Sequence, residues 1–196
     1  MKIKIILSIA FVSAICLSFV GSARCDATVI SINPSSQTLP QSRIGTNYQI
    51  DINISDVANL WQWKVRLNWN PSVLNFIRVD EGTFLNSSGS TLFLNASARS
   101  GYVPEISDTL LENTSTSGSG LLAIVTFKVL AAGQSDITLN ETLLTHPTGQ
   151  VQIPHTVDNG QLIVVPEFQN WTFLAIALVA TIPAAILAKK RFKPTN

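Results

Sequence analysis

Only two histidines occur in this chain of 196 residues, His146 and His155, and they stand nine positions apart. A histidine works as a metal ligand or a general base only when a second donor or an acid converges on it. The surrounding sequence offers no such partner, so both are read as surface residues. The acids offer no better start. Asp51-Ile52-Asn53-Ile54-Ser55-Asp56 carries oxygen donors at alternate positions, as a calcium loop does. However, Asp56 stands where such a loop needs its glycine, and Gln62 where it needs a bidentate glutamate. The alternating isoleucines account for the stretch better, as a strand. Asp80-Glu81 reads as a solvated turn, and nothing selects two carboxylates for glycoside hydrolysis. The expectation is a protein with no catalytic residue, no metal and no cofactor.

Recognition chemistry is better represented. Leu60-Trp61-Gln62-Trp63-Lys64-Val65-Arg66-Leu67-Asn68-Trp69-Asn70-Pro71 alternates with period two and holds three of the four tryptophans. Trp61, Trp63, Val65, Leu67 and Trp69 are expected to face a core, and Gln62, Lys64, Arg66 and Asn68 to face water. That polar column is the candidate partner-binding face. Indole rings also stack on sugars, and Trp61, at the strand's start, is the candidate for that role. Pro71 ends the strand, because proline cannot donate to a ladder.

The elements that must position these residues are all strands. Val73 to Val79 follows at once as a partner of the Trp-rich strand, with Leu74 and Phe76 facing inward. Upstream, Ala27 to Asn33 forms a strand, and a polar connector with Pro40 and Gly45 follows. Tyr48 to Ser55 alternates, with Ile50, Ile52 and Ile54 inside. Downstream, strands are expected near Thr91–Asn95 and Tyr102–Ile106, with Asn113 to Gly120 as a flexible loop. Leu121 to Leu130 places Ala123, Val125, Phe127 and Val129 on one face. Asp136–Leu139 and Gly160–Val165 complete the set. No helical period appears before Trp171. Many short strands with turn signals between them predict an all-β, two-sheet sandwich or jelly roll.

Charge is partitioned along the chain. Between residues 26 and 165 eleven acids face six bases, a net of −5, whereas the whole chain is +1. Without clustered lysine and arginine the domain is not expected to bind nucleic acid. The bases gather at the ends, where membranes read them. Residues 1–25 have the basic start, apolar run and small residues of a secretory signal peptide. Cys16 falls inside that signal and Cys25 at its edge, so no disulfide is expected within the domain, residues 26–165. Residues 166–170 form a linker. Residues 171–188 are uncharged and would rise about 27 Å as a helix, enough to span hydrocarbon. Residues 189–196 are basic, which sets this tail in the cytoplasm and the domain outside the cell. Export agrees with the Asn-x-Ser/Thr acceptor sites at Asn53, Asn86, Asn95, Asn113 and Asn140; Asn170 also begins one, close to the apolar segment.

Two family resemblances follow from these residues. Pro166-Glu167-Phe168, the apolar span and the basic finish resemble the archaeal PEF-type C-terminal sorting signal. That resemblance implies processing by an archaeosortase-like membrane enzyme. The domain is similar to the cohesin family. The likeness runs through Leu67-Asn68-Trp69-Asn70-Pro71-Ser72-Val73-Leu74 and Val79-Asp80-Glu81-Gly82, then Gly120 to Val129. It continues in Gly133-Gln134-Ser135 with Ile137-Thr138-Leu139, and closes on Asn159-Gly160-Gln161-Leu162-Ile163-Val164. Asn70 and Trp69 depart from the family's usual Asp and Tyr, a structural change. The resemblance implies a nine-stranded jelly roll that docks an extracellular dockerin-like protein through one sheet face, without catalysis. It also implies kinship with carbohydrate-binding sandwiches, which keeps a polysaccharide or surface glycan as an alternative ligand. A structural surface-layer or adhesin component is the third reading.

Overall fold

The computed structural model describes residues 27–147 and 151–166. The segments expected to be a signal peptide, an apolar span and a basic tail, with Glu167 and Phe168 of the expected sorting motif, lie outside the described residues.

Two sheets pack face to face. One has five strands in the order β10-β1-β3-β8-β5, and the other six in the order β2-β11-β9-β4-β7-β6. The strands are β1 (Thr28–Asn33), β2 (Ser36–Pro40), β3 (Asn47–Leu60), β4 (Gln62–Asn68), β5 (Leu74–Glu81) and β6 (Thr91–Asn95). They continue as β7 (Tyr102–Leu110), β8 (Thr116–Val129), β9 (Gly133–Thr145), β10 (His155–Asp158) and β11 (Gly160–Val165).

The described residues therefore form eleven strand segments rather than the nine expected. The difference arises where the first and last strands change sheets together. β1 pairs with β10 in parallel, and, after two residues on the first path and one on the second, β2 pairs with β11 in parallel. The crossing is made by cis Asn33-Pro34 on one path and Asn159-Gly160 on the other. Gly160 has no room for a side chain: a Cβ would lie 2.6 Å from Ile32 Cγ2. Asn159 Oδ1 accepts from the Leu139 amide at 2.9 Å, tying the crossing to β9. The residues expected to be a polar connector thus contain β2.

Alternation places the core as expected. Ile50, Ile52 and Ile54 of β3 and Ala123, Val125, Phe127 and Val129 of β8 are buried, as are Trp63, Val65 and Leu67 of β4. Phe76 is only half-buried, but it stacks on Trp69 at 5.8 Å. Trp61 packs against the core but is less enclosed than Trp63. It sits between β3 in one sheet and β4 in the other, where the chain crosses over. There its ring is half-buried and its indole N–H donates to Glu112 O at 3.2 Å.

Two further expectations are corrected. The strand after Pro71 is not the ladder partner of β4. β5 lies in the opposite sheet against β8, because the Asn70 carbonyl accepts from both Val73 and Leu74 and turns the chain across the sandwich. Nor is Thr116–Gly120 a loop; it opens β8. β3 is bulged opposite it, with Asp56 and Asn59 at φ of 54° and 55°. The amides that these bulges release are taken by serines: Asp56 N–H donates to Ser119 Oγ at 3.0 Å and Asn59 N–H to Ser117 Oγ at 2.9 Å. The small polar residues that looked like linker are acceptors for an irregular strand.

Trp63 is fully buried, so Trp63→Ala is expected to cost about 3–5 kcal/mol in urea unfolding. Trp61→Ala is expected to cost less than half as much. Equal losses would place the Trp61 ring in the core.

Candidate functional site

Gln62, Lys64, Arg66 and Asn68 form one column on the outer side of β4, in the interior of the six-stranded sheet. Register builds rows across this face. Leu92 of β6, Thr109 of β7 and Gln62 make one row, which ends on Thr145 of β9. Leu94, Ser107, Lys64 and Leu143 make the next. Leu92 and Leu94 are 48% and 51% exposed, large apolar side chains on an edge strand beside a charged centre. The sequence reading did not single them out. The alternation of Phe93, which packs inward against Trp63, was the available signal that its neighbours point out.

The centre of the face is shaped by two bulges. β7 places Pro104 and Glu105 opposite the single residue Arg66, and β9 places Glu141 and Thr142 opposite Val65. A bulge re-aims a side chain, and here each supplies a counter-charge. Glu105 reaches Lys64 at 2.9 Å, and this hydrogen bond holds its carboxyl below the usual glutamate range. Glu141, at φ 48°, pairs with Arg66. The Arg66 guanidinium also lies 4.9 Å from the Tyr102 ring centroid, and Arg99 approaches the same ring at 5.9 Å. These exposed pairs contribute little to stability. Their effect is to fix the cations in place, so a partner meets an ordered surface rather than swinging side chains. The Asn68 Oδ1 is buried without a hydrogen-bond partner at the end of the column.

A family model for the cohesin domain matches residues 38–164. The chain belongs to the cohesin family. The fold is similar to a non-cellulosomal cohesin from the hyperthermophilic archaeon Archaeoglobus fulgidus, with a TM-score of 0.59 and 19% identity over 73% of this chain and 94% of that one. It is also similar to the cohesin CaCohA2 of Clostridium acetobutylicum, with a TM-score of 0.57 and 20% identity over 74% and 94% of the two chains. The sixth cohesin of scaffoldin B from Acetivibrio cellulolyticus, solved in complex with a dockerin, gives a TM-score of 0.57 and 14% identity over 71% and 99%. No curated protein matches the chain.

Other candidate residues of this cohesin are dispersed. His146 Nδ1 lies 3.2 Å from Asn59 O, while His155 contacts Ile153 O and Thr142 Oγ1, each at 2.8 Å. No group of three or more metal-ligating side chains occurs among the described residues. No described helix is long and apolar enough to cross a membrane. Of the acceptor asparagines, Asn86, Asn95, Asn113 and Asn140 are exposed, and Asn53 is half-buried within β3.

One titratable group was not anticipated. Asp108, 1% exposed, lies in register between Trp63 and Phe93 on the inner side of β7. Its Oδ1 accepts from the Thr109 amide at 2.9 Å. Burial pushes its carboxyl up to about 6, and the charge of Glu81 adds to the shift. Glu81 itself accepts from Thr91 Oγ1 at 2.6 Å, linking the edges of the two sheets. Because the folded state holds the proton more tightly, this group favours folding below about pH 4. That contribution is lost as pH rises through about 6. Asp108→Asn, which keeps an acceptor for the Thr109 amide, is expected to raise stability at pH 7.5 by about 2–3 kcal/mol. It should leave pH 4 nearly unchanged. Urea titrations at both pH values check this; an equal effect at both would remove the charge as the cause.

Proposed function

We propose that this cohesin is a non-catalytic module that docks a dockerin-type protein on the outer face of β9, β4, β7 and β6, outside the cell. The observation that carries the reading is the join of two exposed leucines to a charged column whose counter-ions come from bulges in both flanking strands. Apolar anchors beside fixed charges are what a protein interface needs: the first supply desolvated area, the second register and discrimination. The dockerin complex of the Acetivibrio cohesin supports a partner of that type. The basic residues on this face are matched by acids, so the reading does not depend on a strongly charged ligand. The N-terminal signal and the C-terminal apolar span would carry the module to the surface and hold it there, with an archaeosortase-like enzyme acting on the Pro166-Glu167-Phe168 motif.

The test is calorimetric titration of the purified protein with dockerin modules that carry duplicated calcium loops. Leu94→Asp is expected to weaken binding by about thirtyfold or more, roughly 2 kcal/mol, with thermal stability unchanged. Lys64→Ala is expected to change the salt dependence more than the affinity. Binding that survives Leu94→Asp together with Arg66→Ala would move the contact to another face.

A further inference from the structure

The five-stranded sheet carries a groove of about 600 Å³ on the opposite side of the sandwich from the docking face. Register lays a row of side chains along it: Asp158 of β10, Ser31 of β1, Asn53 of β3 and Leu121 of β8. Neighbours in such a row stand roughly 5 Å apart. The pairing of β3 with β8 shifts register between Ile52 and Asn53, and again between Ile54 and Val57. The first leaves an extra residue, Leu122, in β8 and the second an extra residue in β3, and each bends the strand that carries it and raises its twist. Because the side chains that point out here are short, nothing refills the hollow.

Five polar side chains in the groove are unspent. The side chains of Ser31, Asn33, Asn53, Ser55 and Asp158 make no hydrogen bond to the described residues. Ser119, at the rim, is engaged by the Asp56 amide, and polar side chains elsewhere on the same strands are engaged too: Gln49 donates to Thr126, and Ser117 accepts from the Asn59 amide.

We infer that this groove binds a neutral oligosaccharide. Its volume lies within the range of small-ligand sites, about 300–1,000 Å³. Sugar hydroxyls both donate and accept. An amide, hydroxyls and a carboxylate in one row answer both needs. No lysine or arginine lines the groove, so an acidic sugar or a phosphate would meet Asp158 without compensation. No aromatic ring lines it either, so a nucleobase has nothing to stack on. Leu121 supplies an apolar strip for the C–H face of a sugar. Asn53 also begins an acceptor sequence for glycosylation, but it is half-buried in mid-strand, unlike the four exposed acceptors. The groove assigns it to recognition instead. This site is independent of the docking face.

The test titrates the full chain, produced in a host that does not N-glycosylate, with cellotriose, maltotriose and mannotriose. Trigalacturonic acid serves as the acidic control. At least one neutral trisaccharide is expected to bind and the control not to. Asn53→Ala and Asp158→Ala should each weaken binding about tenfold, the effect of one net hydrogen bond. Asp158→Asn, which keeps the shape, covers the case in which the alanine variant does not fold. Arg78→Ala, exposed on β5 and outside both the groove and the docking face, should leave sugar binding unchanged. Absence of binding by all three sugars, or equal binding by the groove variants, would overturn the proposal. So would peptide mapping of the natively produced protein that finds a glycan on Asn53.

Discussion

The sandwich depends on one indole. Trp69 leaves the end of β4 and enters the space between the sheets. It stacks on Phe76 of β5 at 5.8 Å and meets the edge of Phe127 of β8 at 5.4 Å. Its N–H donates to Leu74 O at 3.0 Å, so the ring brings its own polar atom to a partner inside the core. That hydrogen bond closes the turn that carries the chain from one sheet to the other. Aromatic pairs of this kind add to the area they bury. Trp63, further along β4, fills the other half of the same space against Phe93. The inner side of β4 is thereby fixed, and period-two geometry fixes its outer side with it.

On that foundation the two outer faces diverge. The six-stranded sheet spends its bulges on charge: Glu105 and Glu141 are turned toward Lys64 and Arg66. The five-stranded sheet spends its bulges on shape: β8 carries an extra residue, Leu122, opposite the Ile52–Asn53 step, and the hollow lies beside it. The same departure from regular pairing yields an interface in one place and a groove in the other. In both, the irregular residue is held by a regular neighbour on each side.

Much of this was legible in the sequence. The runs at Tyr48–Ser55, Leu121–Leu130 and Gly160–Val165 alternate because one side of each is buried, and burial is what hydrophobic period reports. The outward column on β4 followed from the same rule. What was not legible depends on partners distant in the chain. Thr116–Gly120 has the composition of a linker, and only the bulged amides of Asp56 and Asn59 explain its serines. β5 follows β4 so closely that a hairpin was the natural expectation. The turn at Asn70 is set by carbonyl geometry that composition does not encode. Trp61 continued the pattern on paper, yet the chain changes sheets there. Leu92 and Leu94 were hidden for a similar reason: a short strand shows its outward side only once its inward residue, Phe93, is known.

The parallel course of β2 and β11 has a mechanical meaning. Val165 leaves the domain in register with Pro40, and β11 is held between β2 on one side and antiparallel β9 on the other. Tension along the chain beyond Val165 runs along β11, at right angles to its interstrand hydrogen bonds. Those bonds are loaded in shear and share the force, instead of opening one after another from an end. β9 hands the load directly to β4, in the same sheet.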